Sequence, residues 1–294
     1  MEQHNMEELY LSYQKYAFSI AYRMLGVVAD AEDVVQDCFA ELQRRDRTEI
    51  LNIKAYLAKG ITNRCLNMLH SAHNQRETYI GEWLPEPVTD TFEGPEAIVE
   101  RNETLSYAFL VLLEQFTPTE RAVFVLREVF QYEYEAIAEM VDKSEANCRK
   151  IFSRAKRNLQ PVSTSDRRSS INEPARKTLL KRFTAAFAAY DVNRVLELLA
   201  DHPVLIADGG GGEVHTILRP MVGRKGVVAL LTSRRVLDKL RNWESSFALI
   251  NGESNIVFTH QGKVTGVLCL NLDGEHIQDL YLIMDPDKLS HIVI

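Results

Sequence analysis

Hydrophobic spacing changes its period along this chain, and that change limits the folds open to it. From Met6 to Glu77, and again from Ile98 to Leu159, apolar residues recur every three or four positions, the spacing of helices that bury one face. Beyond Pro174 one amphipathic stretch remains, Arg176 to Tyr190. It is followed by short β-type runs at Pro203 to Asp208, Phe247 to Ile250, Ile256 to His260, Val264 to Asn271 and Ile277 to Ile283, separated by Gly, Asn and Asp. Helices first and strands later predict two all-α domains followed by an α+β domain. Gly81, Pro85, Pro87, Gly94 and Pro95 break the first helical pattern over an acidic stretch, and Gln160 to Pro174 is rich in Ser, Thr, Arg and Pro, so both read as linkers. The expected division is 1–78, a linker 79–101, 102–160, a second linker 161–174, and 175–294.

Two or three compact units fit 294 residues. Cys38, Cys65, Cys148 and Cys269 lie far apart, without the close pairs of a zinc site or the density of a disulfide scaffold. Met1 to Leu9 is acidic and polar, unlike a signal peptide, and no apolar stretch has membrane-spanning length, so a cytosolic protein away from membranes is expected. A net charge of −7 argues against nucleic acid until its distribution is read. Between Lys143 and Arg157 stand six cations and the single acid Glu145, whereas Glu82 to Glu103 is strongly acidic.

The basic segment carries a helix-turn-helix. Tyr134 to Val141 is a short helix, Asp142-Lys143-Ser144 follows, and Ser144 caps a second helix from Glu145. Cys148, Ile151, Phe152, Ala155 and Leu159 recur at helical intervals and face the core. The opposite face then holds Ala146, Lys150, Ser153 and Arg157, flanked by Arg149 and Arg154. A recognition helix meets base edges near its N-terminus, so Asn147, Arg149, Lys150 and Ser153 are the candidate base readers, and Arg154, Lys156 and Arg157 the phosphate holders. A basic solvated helix end is the bland alternative. Upstream, Thr117 is a good N-cap and Pro118 suits the first helical turn.

In Asp30 to Arg45, Ala31, Val34, Val35, Cys38, Phe39 and Leu42 form a buried stripe, leaving Asp33, Asp37 and Glu41 aligned outside at four-residue spacing. Such acids repel one another, which suits either a solvated face or a basic protein partner.

Here the residues resemble the extracytoplasmic-function sigma factors of RNA polymerase. Asp30-Ala31-Glu32-Asp33-Val34-Val35-Gln36-Asp37 is similar to the family's region 2.2, which implies binding of the β′ clamp helices through Asp30, Asp33, Gln36, Asp37 and Glu41. Lys54 to Arg64 resembles the segment that melts the minus-ten element and captures unstacked bases, which assigns Tyr56, Asn63, Arg64 and Asn67 to DNA. The family often has Trp at the place of Tyr56, and Gly60 is unusual inside a helix. Thr117 to Phe124 and the helix-turn-helix resemble region 4, which implies reading of the minus-thirty-five element and contact with the β flap. The remainder resembles the subgroup with a fused SnoaL-like domain, through Tyr79-Ile80-Gly81-Glu82-Trp83-Leu84-Pro85-Glu86-Pro87, Asp208-Gly209-Gly210-Gly211 and Asp285-Pro286-Asp287-Lys288-Leu289. Met284 stands where that subgroup's last motif opens with Asn, and Gly212-Glu213 replaces its usual basic residue.

By this resemblance the last domain is a regulatory cone whose contacts are Trp83, Leu84 and Pro85 with Asp208, Gly209, Gly210, Asp285, Pro286, Asp287, Lys288 and Leu289, in place of a separate anti-sigma protein. An indole in a Pro-stiffened linker is expected to be docked. Cones of this class include enzymes with a buried Asp or His base, which makes Asp208, His215 and His260 the candidate catalytic groups. Their spacing offers no nucleophile, acid-base pair or metal set, and His70 with His73 lacks further ligands; no enzyme, cofactor or metal is expected. The Gly run follows a strand and leads into an extended run, Val214 to Leu218, so it reads as a turn at positive φ and not as a phosphate loop. Two other readings stay open: a ligand-responsive helix-turn-helix regulator independent of sigma-type polymerase binding, and an isomerase-like enzyme tethered to DNA.

Overall fold

The computed structural model describes residues 6–45, 50–76, 79–89, 106–158, 172–212, 214, 216–233, 236 and 243–293, with only the backbone for 72–76. Leu159, Glu213, His215, the side chain of His73 and the stretches 90–105 and 159–171 lie outside the described residues. These residues fall into two compact units. The first takes in 6–76 and 112–158; the second takes in 79–89, 106–111 and 172–293.

The first unit is all helical: α1 (Met6–Leu25), α2 (Val28–Arg44), α3 (Ile53–Arg76), the end of α4 (Tyr107–Leu113), α5 (Pro118–Phe124), α6 (Tyr134–Val141) and α7 (Glu145–Asn158). The buried side of α2 is the stripe expected from its spacing, Ala31, Val34, Val35, Cys38, Phe39 and Leu42, joined by Val28. Leu57, Ala58, Ile61, Cys65 and Leu69 of α3 are buried in the same unit. Each buried leucine or isoleucine contributes roughly 1.5–3 kcal/mol relative to exposure. Helix α5 starts on a full capping box: Thr117 Oγ1 accepts from Glu120 N, and Thr117 N donates to Glu120 Oε2 at 3.1 Å. It runs on into a π-helical turn, Val125–Val129. Arg121 is 3% exposed, and its Nη1 donates to Met24 O at 2.7 Å and to Glu114 Oε1 at 2.6 Å. That bond ties the start of the α5 segment to the end of α1, and a Tyr16–Tyr132 hydroxyl bond of 2.5 Å adds a second tie.

The second unit is a six-stranded sheet packed with helices. Its elements are α8 (Glu173–Ala188), α9 (Val192–Leu198), β1 (Leu199–Asp208), β2 (Met221–Val222), α10 (Arg224–Leu231), β3 (Glu244–Ile250), β4 (Glu253–His260), β5 (Lys263–Asp273), β6 (His276–Ile283) and α11 (Pro286–Leu289). The strand order is β2-β1-β6-β5-β4-β3, with β1 parallel to β6 and the other pairs antiparallel. Leu179, Leu180, Phe183, Val195, Val227, Leu231, Ile256, Leu268, Ile277 and Leu280 fill the space between helices and sheet. The Arg176 side chain enters this interior and bonds groups of the sheet: Nε donates to Ser254 O at 2.7 Å, and Nη2 to Asn255 Oδ1 at 2.9 Å and Leu270 O at 2.7 Å.

Helical regions first and an α+β domain last is the order found, with the two helical regions in one compact unit. The expected helix at Arg176 starts earlier, where Asn172 Oδ1 accepts from Ala175 N at 2.9 Å and Pro174 fills the first turn. The helices α9 and α10 and the short β2 are additions to the elements expected from sequence. Val214 to Leu218 is not a strand among its described residues. Gly210, Gly211 and Gly212 all take positive φ, and Val214 N returns to Gly209 O at 2.8 Å, so the chain doubles back instead of extending. No described helix is long and apolar enough to cross a membrane.

Candidate nucleic-acid interface and docked linker

Helix α7 follows a left-handed residue, Asp142, and Ser144 Oγ accepts from Asn147 N at 3.3 Å, the cap expected for its start. Cys148, Ile151 and Ala155 are buried, and half-buried Phe152 stacks on Phe124 with centroids 5.7 Å apart. Arg149, Lys150, Ser153, Arg154 and Arg157 line a shallow groove on the outer face, with Asn147 exposed at its head. Two of these cations are already oriented within the protein. Arg149 bonds the Glu145 carboxylate and lies over the Tyr134 ring, 4.4 Å from its centre. Arg154 pairs with Glu120 at 2.7 Å. Burial alone would raise the Glu120 carboxyl, but the bonds from Thr117 and Arg154 leave it below its ordinary value.

On α3, Asn63 and Asn67 are exposed one turn apart, Tyr56 is half-buried two turns earlier, and half-buried Arg64 turns toward α2. On α2, Asp33, Gln36 and Asp37 are exposed, while Asp30 and Glu41 are partly covered. Glu41 accepts from both Arg64 and Arg45.

In the second unit the segment 79–89 lies along the sheet and the α11 turn, and one carboxylate organises it. Asp208 closes β1 and is 1% exposed. Its Oδ1 accepts from Tyr79 Oη at 2.5 Å and Gly210 N at 3.0 Å, and its Oδ2 from Leu84 N at 2.8 Å and Lys288 Nζ at 2.7 Å. Lys288 also donates to Leu84 O at 2.8 Å, and its ammonium sits 4.3 Å from the centre of the Trp83 ring. Burial pushes the Lys288 ammonium below its usual value and Asp208 pulls it back up. Burial, then the bond to Asp208, raises the Tyr79 phenol. Asp285 caps α11 by accepting from Asp287 N at 3.0 Å, with Pro286 in the first turn and Leu289 buried. A side chain on Gly210 would meet the Asp285 carboxyl at 3.1 Å, and one on Gly209 would meet Val214 O at 2.2 Å, so the turn against the tail needs glycine.

Trp83, Leu84, Pro85, Asp208, Gly209, Gly210, Asp285, Lys288 and Leu289 are therefore gathered in one place, while Asp287 points to solvent. Asp208 has its acceptor positions filled by four donors and offers no free base; His260 sits at the outer end of β4. Sequence reasoning missed three further contacts of the segment. Tyr107 Oη donates to Pro85 O at 2.6 Å, Asn251 exchanges bonds with Val88 through its side chain and backbone, and His291 Nε2 lies 2.7 Å from Pro87 O. Only Asn251 carried a signal, as the first residue of an Asn-Gly hairpin turn with φ of 50° and 75°.

Comparison with known proteins matches residues 9–75 to Sigma-70 region 2 and residues 106–159 to Sigma-70 region 4. The ECF RNA polymerase sigma factor SigJ of Mycobacterium tuberculosis is 34% identical over 94% of this chain and 91% of its own. The probable ECF RNA polymerase sigma factor SigI of the same species is 27% identical over 99% and 97%. The chain belongs to the extracytoplasmic-function sigma factors. The crystal structure of M. tuberculosis SigJ superposes on it with a TM-score of 0.74 at 29% identity, covering 97% of this chain and 98% of that one, so the likeness includes the C-terminal α+β domain. In this sigma factor α1–α3 are region 2, α4–α7 are region 4, and the sheet with α8–α11 is the SnoaL-like domain.

Proposed function

We propose that this sigma factor directs core RNA polymerase to promoters and that its SnoaL-like domain controls the output by holding the linker between regions 2 and 4. Asp30, Asp33, Gln36 and Asp37 engage the polymerase β′ subunit. Tyr56, Asn63, Arg64 and Asn67 take the melted minus-ten strand. Asn147, Arg149, Lys150 and Ser153 read the minus-thirty-five element, with Arg154 and Arg157 on phosphates. The observation that carries the regulatory part is the Asp208–Lys288 pair, which closes on both the N–H and the C=O of Leu84. A linker gripped on both sides of Leu84 has fewer conformations, and anything that changes that grip changes the fraction of promoter-competent molecules. This reading leaves control to the chain itself, without a separate anti-sigma protein, and gives it no enzymatic role.

Run-off transcription with bacterial core polymerase tests both parts, using the full chain, Trp83→Ala, Lys288→Met and a chain stopped near Pro161. Specific initiation by the full chain with altered yield in the variants is the expected result. Equal yield from all four would remove the regulatory part, and absence of polymerase binding would move the reading to a ligand-responsive DNA-binding regulator.

A further inference from the structure

The last acid of the α2 stripe is placed differently from the others. Asp33 and Asp37 face solvent, whereas both oxygens of Glu41 are occupied. Oε2 accepts from Arg64 Nη2 of α3 at 2.6 Å, and Oε1 accepts from Arg45 Nη2 one turn along at 2.8 Å. The Arg45 guanidinium in turn lies 5.6 Å from the centre of the Tyr56 ring. Arg64 Nη1 leans back over Gly60, 3.5 Å from its carbonyl oxygen. Arg64 first, then Arg45, holds the Glu41 carboxyl below its ordinary value, so the bridge is charged at neutral pH.

The ion pair is too open to matter much for folding: the Arg64 and Glu41 side chains are 31% and 36% exposed, and pairs of that kind contribute little to stability. Its effect is to remove freedom. A free arginine loses much rotamer entropy when it grips a ligand, and a carboxylate that already fixes two of them lowers that cost. Two guanidiniums and a half-exposed ring on adjoining surfaces suit a single strand, whose bases stack on aromatic faces and whose phosphates take forked N–H donors.

We infer that Glu41 is a positioning residue for promoter melting, holding Arg45 and Arg64 beside Tyr56 to receive the unstacked strand, and not a polymerase contact. The inference rests on the assignment of the α3 face to the minus-ten element. Simple electrostatics predicts the opposite sign: neutralising Glu41 adds net positive charge and should tighten DNA binding. Positioning predicts that it loosens.

The test uses holoenzyme reconstituted from core polymerase and the full chain, with a single-stranded DNA oligonucleotide selected from a random pool by the wild-type holoenzyme. Glu41→Gln is expected to weaken oligonucleotide binding about fivefold, at unchanged affinity for core polymerase, through loss of pre-organisation. Glu41→Asp, which keeps the charge, is expected to recover part of the loss, whereas Asp37→Asn is expected to lower core affinity alone. Equal or tighter oligonucleotide binding by Glu41→Gln overturns the inference, as does a loss confined to core affinity. Unchanged binding in Arg64→Ala and Asn63→Ala as well removes the α3 assignment itself and the inference with it.

Discussion

Lys288 carries its charge inside the second unit only because Asp208, the Leu84 carbonyl and the Trp83 ring surround it. Asp208→Asn keeps the shape and strands the ammonium, which should cost about 3–5 kcal/mol, whereas Asp208→Asn with Lys288→Met should recover much of it. Both tryptophans, Trp83 and Trp243, belong to the second unit, so urea unfolding followed by tryptophan fluorescence reports on that unit. Asp279 gives a pH signature of its own. Burial raises its carboxyl, partly offset by bonds from Asn271 and Tyr281, so the folded state holds the proton more tightly than the unfolded one. Its contribution is complete below pH 3.8 and is lost as pH rises through the folded value. Asp279→Asn should therefore gain melting temperature relative to wild type over that window and stay level above it. The Asp208 and Lys288 motifs were legible as motifs, but not as a pair, since they stand far apart in sequence and meet only because β1 lies beside β6. Tyr107 and His291 left no trace at all: a lone Tyr and a lone His look the same in sequence whether they bind a carbonyl or water.

Helix ends were more readable than strand ends, for a physical reason. Thr117-Pro118-Thr119-Glu120 is a local device whose bonds close within one turn, and it forms where the sequence places it. The strands run beyond their apolar cores to Glu244, Glu253, Lys263 and Asp273, because backbone pairing with a neighbour continues after side-chain alternation stops. Helix α9 escaped notice for a similar reason: its seven residues bury only Val195 and Leu198, too few to show a period. Gly60 is the element-scale test. It lies inside α3, and an added Cβ would stand 3.5 Å from Cys38 Sγ and 3.7 Å from Arg64 Nη1, ordinary contact distances. Gly60→Ala should stabilise the first unit by about 0.5–1 kcal/mol through backbone entropy, read by far-UV circular dichroism in urea. A loss of stability instead would mean that the Arg64 side chain cannot yield there.

At the scale of the whole chain, residues 79–89 follow region 2 in sequence but fold with the SnoaL-like domain. Their backbone groups are satisfied largely by that domain: Leu84 N by Asp208, Val88 N by the Asn251 side chain, Val88 O by Asn251 N, and Thr89 by an antiparallel bridge to Ile250. A segment with few bonds of its own owes its order to the surface it lies on, so removing that surface should free it without unfolding the helices of the first unit. Hydrogen exchange compares the full chain with one stopped near Pro161. The amides of Leu84 and Val88 should be protected in the full chain and exchange at the rate of an open peptide in the shorter one, while those of α2 and α3 keep their protection. Lys288→Met tests the same coupling within the intact chain. It removes the donor to Leu84 O while Asp208 still accepts from Leu84 N, so Leu84 should lose part of its protection, and Val88, anchored separately on Asn251, should lose less. A graded release from 84 toward 88 makes the segment a lever with a separable near end; simultaneous loss at both positions makes it a single latch, and the transcription yields of the same variants then show which of the two the promoter senses.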